Sequence, residues 1–317
     1  MNLDELLKLI RGPSRPTPRQ LRYRRRRAGA LAGVAALALL LGVIVGASGN
    51  GSAGAGGGGG TEIGWYGHLA TLAGAGRGSL DLEQRAAENN AIDRALARTP
   101  FIRKGGTERR EVALTFDDGP GVDTDQLLDL LERYRVPATF FMLGKNVPEF
   151  PETMKRLVDS GMPIDDHTME HPNLAQLSAQ EQQEQIEGAA QQIEQTGSAY
   201  PRLFRPPYGS YNETTHDVLE RLRMLSVLWS VDSQDYTKPG VDQIVDNVVS
   251  AIHPGAIVLM HDGGGDRTQT IEAVARIIPE LRRMGYRFVT VPRLLLDNPP
   301  EIDDQGLPPG FNSSGAG

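Results

Sequence analysis

Two adjacent carboxylates, Asp117 and Asp118, stand at the abrupt end of the apolar run Val112-Ala113-Leu114-Thr115-Phe116 and are followed at once by Gly119-Pro120. Neighbouring side chains on a strand point to opposite faces, so a turn is needed to aim both acids into one cavity, and Gly-Pro supplies one. Like charges this close are costly without a cation, a basic partner or a shared proton. The pair therefore points to a metal site or to a general base with a shifted pKa. The competing reading is an acidic loop that caps the next helix. Further along, His167 and His171 stand four apart; if that segment turns helically they share a face and both imidazoles reach one ion. With Asp118 they form a His-His-carboxylate set that leaves coordination positions open, as a catalytic divalent metal needs and a closed structural site does not. Alone, the two histidines read as surface residues at a helix start.

Three more polar runs follow: Arg205-Pro206-Pro207-Tyr208-Gly209, Asp232-Ser233-Gln234-Asp235-Tyr236 and Leu259-Met260-His261-Asp262. Singly they read as a surface charge on a proline turn, turn-forming acids and a core histidine. Their placement argues otherwise. From Glu111 onward, apolar strands (112–116, 138–143, 163–166, 202–205, 225–231, 256–260, 287–291) alternate with amphipathic helices (125–134, 151–160, 178–195, 213–223, 242–252, 270–284). Ser178 with Glu181 makes a capping box, and Gly285 fits a helix C-cap. Seven strands alternating with six helices, without hairpin signals, imply parallel strands joined by helical crossovers, in a barrel or a doubly wound open sheet. Five polar clusters then lie at the same ends of five successive strands, the C-terminal rim where α/β folds build their sites.

The chain has 317 residues, 39% of them hydrophobic, with 21 Pro and 37 Gly, which allows one domain of roughly 200 residues plus attachments. It has no cysteine, so disulfides and thiolate metal sites are excluded and any metal is held by His, Asp or Glu. Charge is uneven: residues 1–27 carry nine Lys/Arg against Asp4 and Glu5, and the remainder of this −7 chain carries −14. The basic run abuts Ala28 to Ala47, 20 uncharged residues rich in Ala, Leu and Val. About 20 apolar residues span a bilayer core, with the positive flank inside. The expectation is a basic cytoplasmic tail (1–27), a transmembrane helix (28–48), a Gly-rich tether and helical spacer (49–107), a catalytic domain (108–298) and a disordered tail (299–317). The alternative is a signal peptide cleaved near Ala47-Ser48-Gly49. Nucleic acid is not expected as a partner, because an exported acidic domain repels phosphate. Oligomeric state is not legible.

Taken in order, TFDDGP, HTMEHP, RPPYG, DSQDY and LMH resemble the motifs of the polysaccharide deacetylases of the NodB-homology type, carbohydrate esterase family four, over about residues 108–296. The resemblance implies an α/β fold, a distorted incomplete (β/α) barrel with about seven parallel strands. It implies a divalent metal, usually zinc and sometimes cobalt or nickel, and hydrolysis of acetyl groups on sugar polymers. By position it implies Asp118, His167 and His171 as metal ligands, Asp117 as general base and His261 as general acid. Arg205 would orient Asp117, and Asp235 rather than Asp232 would set the protonation of His261. Tyr208 would offer its backbone N–H to the oxyanion beside Pro207, while Leu259 and Tyr236 would wall the acetyl pocket. The family usually has Trp where Tyr236 stands, and the residues before His167 depart from its pattern, so Asp165 or Asp166 is a candidate partner for a metal-bound His.

These features imply a membrane-anchored deacetylase working outside the cytoplasm on N-acetylated glycan, peptidoglycan or chitin-like. The alternatives are an O-acetyl esterase of the xylan type on the same fold and a non-catalytic glycan-binding module.

Overall fold

The computed structural model of the protein describes residues 76–301. The basic tail, the apolar run, the Gly-rich tether and the expected disordered tail from residue 302 lie outside the described residues. No described helix is long and apolar enough to cross a membrane.

The strands are β1 (Phe101–Ile102), β2 (Glu111–Asp117), β3 (Thr139–Met142), β4 (Ile164–Asp166), β5 (Leu203–Phe204), β6 (Leu225–Val227), β7 (Val231–Asp232), β8 (Ala256–His261) and β9 (Arg287–Phe288). They form one parallel sheet in the order β1-β6-β5-β4-β3-β2-β8-β7, with β9 paired to the start of β2. The helices are α1 (Gly76–Leu96), α2 (Thr124–Tyr134), α3 (Pro151–Ser160), α4 (Ala179–Gln195), α5 (Glu213–Leu222), α6 (Val241–Ala251), α7 (Thr268–Arg283) and α8 (Val291–Asp297). The Ser178–Glu181 capping box forms at the start of α4.

The row must curl. β6 stands second in it and β7 last, six strand spacings away, about 29 Å in a flat sheet. Yet only Leu228, Trp229 and Ser230 connect them, and four Cα steps reach at most about 15 Å. The two ends of the sheet are therefore brought together, with the three-residue link crossing the seam. A further antiparallel bridge, Lys104 with Ala256, ties the chain after β1 to β8. This is the distorted, incomplete barrel that the resemblance implied. The expected strand 225–231 is two strands at opposite ends of the row, because its extended backbone changes neighbours at the seam. The expected strand 287–291 stops at Phe288, since Thr290 caps α8 and Pro292 lies in its first turn.

Side-chain alternation sorts the residues into two cores. Val112, Leu114 and Phe116 of β2, with Val258 and Met260 of β8, face outward onto helices α2, α3, α6 and α7. Ala113 of β2, Phe141 of β3 and Ile257 of β8 face the barrel interior. That interior is plugged from the N-terminal end by Ala91, Ile92 and Ala95 of α1 and by Val291, Leu294 and Leu295 of α8. The expected boundary at residue 108 thus leaves out α1 and β1, which share the sheet and core of the catalytic domain. The spacing of Ala87, Ala91, Ile92, Ala95 and Leu96 already puts them on one side of this polar helix as a flank leaning on the main domain; the structure makes Ala91, Ile92 and Ala95 of that side part of the core. Going up the same inward positions, Ala113 gives way to Thr115 and Asp117, and Ile257 to Leu259 and His261, so the barrel changes from apolar floor to polar rim.

Ile92 is 2% exposed in that floor. Ile92→Ala is expected to cost about 2–4 kcal/mol of unfolding free energy, read from urea or thermal denaturation. A change within 0.5 kcal/mol would mean that α1 only leans on the surface.

Candidate active site

The turn that brings the acid pair together begins one residue earlier than Gly-Pro suggests. β2 ends at Asp117, and Asp118 itself adopts φ 71°, the left-handed conformation that reverses the chain, ahead of a cis Gly119–Pro120 peptide. The turn lies backbone to backbone against residues that follow β8. The N–H groups of Asp262 and Gly263 donate to the Asp117 carbonyl at 3.0 and 3.3 Å. A Cβ at Gly119 would overlap the Asp262 carboxylate, so only glycine fits. The Asp262 carboxylate accepts from the Thr124 hydroxyl at 2.6 Å. Burial, reinforced by Asp118 and Asp117, raises its pKa to about 7 against the Thr124 bond. Asn146 Nδ2 donates to the Asp118 carbonyl at 2.9 Å. The loop carrying Asp118 is thus fixed from two sides.

His167 and His171 do reach one place, although not as helix neighbours. The segment after β4 is irregular, with Thr168 at φ 71° and His171 at φ 65°. A relay of side chains holds it: Asp166 Oδ1 accepts the Thr168 N–H at 2.7 Å, and Thr168 Oγ1 accepts the His171 N–H at 3.0 Å. The sequence expectation that Asp165 or Asp166 backs a histidine ring is corrected here. His167 Nδ1 lies 2.7 Å from the Arg205 carbonyl and must donate to it, while Asp165 is occupied by the amides of Arg202 and Leu203. A proton on Nδ1 leaves the Nε2 lone pair directed at the acids. Burial pulls the His167 pKa down to about 3 despite the Asp118 charge, so the ring is neutral.

Asp118 Oδ1 is buried and has no hydrogen-bond partner, yet it stands 3.5 Å from His167 Nε2 and 3.3 Å from His171 Nε2. Donor atoms of the three residues all fall within 4.8 Å of one another. Ligands at about 2.0–2.1 Å in a tetrahedral zinc site are about 3.3 Å apart, so an orphaned carboxylate oxygen between two imidazole nitrogens fits a metal ion.

Asp117 and His261 are register partners on β2 and β8, so their side chains rise side by side from the rim. Asp117 accepts from Arg205 Nη1 at 2.7 Å. Arg205 is 0% exposed; the same Nη1 donates to Thr115 Oγ1, Nε donates to the Val227 carbonyl and Nη2 to that of Leu228. Its guanidinium lies 4.2 Å over the Phe141 ring. Burial lifts the Asp117 carboxyl above the usual carboxylate range, and Arg205 works against that rise. His261 Nδ1 bonds Asp235 Oδ1 at 2.8 Å, while Asp235 Oδ2 accepts from the His261 N–H and from Thr270 Oγ1. Burial alone would lower the His261 pKa, but the Asp235 bond and charge, helped by Asp117 and Asp118, leave it raised. Asp235 is the partner, as implied. Asp232 lies aside, accepting from the Tyr236 hydroxyl at 3.3 Å.

These groups open into one cavity of about 350 Å³, lined by Asp117, Asp118, His167, His171, Pro206, Tyr208, Trp229, Tyr236, Leu259 and His261. Tyr208, at φ 60°, stands 4.5 Å from the His171 ring, centroid to centroid. Pro206 faces the cavity where Pro207 was expected; Pro207 is buried in the short turn that follows β5. Trp229 escaped the sequence reading because it sat inside a continuous strand pattern that the seam crossing breaks. Asp262 was quoted beside His261 without a role, and nothing local marks Asn146.

The His261–Asp235 pair carries a pH signature. A folded pKa raised above the unfolded value of about 6.5 adds stability that is complete below that value and fades as pH rises through the folded one. Asp235→Asn should therefore destabilise the fold by about 3 kcal/mol at pH 6 and by visibly less at pH 9, measured by urea unfolding. An equal loss at both pH values would show that the pair is not ionic.

A family model for polysaccharide deacetylase matches residues 104–227. A peptidoglycan-N-acetylglucosamine deacetylase of Bacillus cereus is 43% identical over 187 residues, 58% of this chain and 87% of the relative. A chitooligosaccharide deacetylase of Bradyrhizobium sp. is 39% identical over 198 residues, 58% of this chain and 90% of the relative. A crystal structure of a peptidoglycan N-acetylglucosamine deacetylase in complex with an N-oxidanyl-benzamide superposes with a TM-score of 0.61 at 35% identity, covering 65% of this chain and 97% of the other. With the curled parallel sheet and all five motifs on one rim, the chain belongs to the polysaccharide deacetylases of the NodB-homology type, carbohydrate esterase family four.

Proposed function

We propose that the protein is a metal-dependent hydrolase that removes acetyl groups from N-acetylated glycan, with peptidoglycan or a chitin-like polymer as substrate. The observation that carries this is the pairing of a carboxylate base and an imidazole acid, each tied to its own counter-charge, beside a His-His-Asp donor set in one pocket. Asp118, His167 and His171 would hold the metal, zinc foremost with cobalt or nickel as alternatives, whose chemistry there is polarisation of the acetyl carbonyl and activation of water.

The chain's own residues do the rest. Asp117, desolvated and held in one orientation by Arg205, takes the proton of the attacking water. Its raised pKa makes it a stronger base than a surface aspartate. The Tyr208 backbone N–H is the donor for the oxyanion that forms at the carbonyl carbon. His261, kept protonated by Asp235, then gives its proton to the departing sugar nitrogen as the C–N bond breaks, leaving acetate and a free amine. An amide needs that acid more than an ester does, which favours the N-deacetylase over an O-acetyl esterase.

For location, we infer a single-pass anchor at residues 28–48 with the N-terminus inside. The support is the nine Lys/Arg before an uncharged 20-residue apolar run. The full chain is expected in the membrane fraction with its catalytic domain open to external protease. A soluble product shortened near residue 47 would indicate a cleaved signal instead.

Purified full-length protein with zinc or cobalt should release acetate from chitooligosaccharides or peptidoglycan fragments, faster relative to hydroxide hydrolysis than from acetylated xylan. Asp118→Ala should lose bound metal, by elemental analysis, together with at least about a hundredfold in activity. Acetate only from xylan would move the assignment to the esterase, and unchanged metal content would sink the ligand set.

A further inference from the structure

The candidate donor set has to bridge a strand. Asp118 follows β2 and His167 follows β4, and β3 lies between them in the sheet. Strands at a spacing of about 4.8 Å put β2 and β4 about 10 Å apart, yet Asp118 Oδ1 stands 3.5 Å from His167 Nε2. The loops that carry the two residues therefore lean toward each other across the end of β3, and the chain leaving β3 is hydrogen-bonded to both.

That chain is the single helical turn Gly144–Asn146, with Leu143 before it. Four donors on these four consecutive residues reach out of it. The Leu143 N–H donates to the Gly119 carbonyl at 2.8 Å, and Asn146 Nδ2 to that of Asp118 at 2.9 Å. The N–H groups of Gly144 and Lys145 donate to the carbonyls of Thr168 and Met169, both at 3.0 Å. Two bonds thus go to the loop of the carboxylate and two to the segment between the histidines. The turn has little room to shift: a Cβ at Gly144 would overlap Met169 Sδ and Ala189 of α4, and Val147 is buried in the outer core.

The bonds fall where the backbone most needs them. Asp118 and Thr168, each offering its carbonyl to this turn, both have φ 71°, a conformation that a non-glycine residue keeps only when its surroundings impose it. The carbonyl and the carboxylate of Asp118 leave the same residue, so holding one limits the sweep of the other. Metal–ligand distances tolerate only about 0.2 Å of departure. Resting on the reading of Asp118, His167 and His171 as metal ligands, we propose that the Leu143–Asn146 turn is the spacer that sets their separation and that Asn146 is a positioning residue for the metal. Its amide holds the Asp118 loop at the distance from the histidines that one ion requires. Asn146 does not line the cavity, and its bond is the only one of the four that comes from a side chain, so substitution removes it with the other three intact.

The test measures zinc affinity of the purified full-length protein by competition with a chelating indicator, and the visible absorption of the cobalt-loaded protein, whose bands report ligand geometry. Asn146→Asp keeps the shape and loses the donor; Asn146→Ala loses the side chain. Each is expected to weaken zinc binding about tenfold or more and to shift the cobalt bands, while far-UV circular dichroism of the metal-free protein stays that of the wild type. Wild-type affinity and an unchanged cobalt spectrum in both variants would overturn the spacer inference alone. So would loss of folded metal-free protein in both, because the turn would then hold the fold and not the gap. Wild-type protein that binds neither ion would overturn the ligand assignment and the inference with it.

Discussion

The fully buried Arg205 guanidinium is the interaction on which the site depends. Taking such a cation out of water costs several kcal/mol unless its donors are satisfied, and here they are met by Asp117, Thr115 and the carbonyls of Val227, which ends β6, and of Leu228 after it. One side chain thereby joins β5 to β2 and to the seam crossing between β6 and β7. Its backbone carbonyl accepts a hydrogen bond from the His167 Nδ1–H and so selects the tautomer that points the Nε2 lone pair at Asp118. The proposed base, a metal-ligand candidate and the closure of the barrel share a residue. None of the three is free to move without the others.

The arrangement works because of where it lies along the barrel. Below it, Ala113, Ile257, Phe141 and the apolar faces of α1 and α8 form a dry floor; above it the pocket is open. Strand alternation carries the inward positions from one environment to the other within four residues of β2 and β8. Asp117, the proposed base, is therefore desolvated, while His261, the proposed acid, lines the cavity. The two proposed catalytic groups are neighbours in register, so their mutual attraction also favours the charge state of each, His261 adding to the hold on the Asp117 carboxylate and Asp117 raising His261.

Backbone conformation completes the site. Asp118, Thr168, His171 and Tyr208 all have positive φ although none is glycine. Such residues cost about 1 kcal/mol or more each and persist only where surroundings over-determine them. Here the surroundings are the Asp166–Thr168–His171 relay, the interlock of Gly119 with Asp262, and the Asn146 bond to Asp118. Of these groups Asp118 and His171 line the pocket, while Asp166, Thr168, Gly119, Asp262 and Asn146 stand outside its lining.

Much of this protein was legible in its residues alone. The alternation of apolar strands and amphipathic helices specified a parallel α/β fold, because the period of hydrophobicity is a local property that survives folding. The five motifs and their order marked the family, since the proposed metal binding and proton transfer require particular side chains whatever surrounds them. What the chain could not show was how distant parts meet. A break in strand 225–231, the capture of α1 as the barrel floor and the Trp229 wall all follow from sheet closure, a condition on strands far apart in sequence. The reach of His167 and His171 was anticipated with the wrong backbone, because a helical turn and two left-handed residues can both bring two rings together. Only tertiary packing chose between them, and only packing gave the Arg205 carbonyl, rather than Asp165 or Asp166, the task of holding the histidine: hydrogen-bond partners of a buried group are set by proximity in space, which no spacing along the chain encodes.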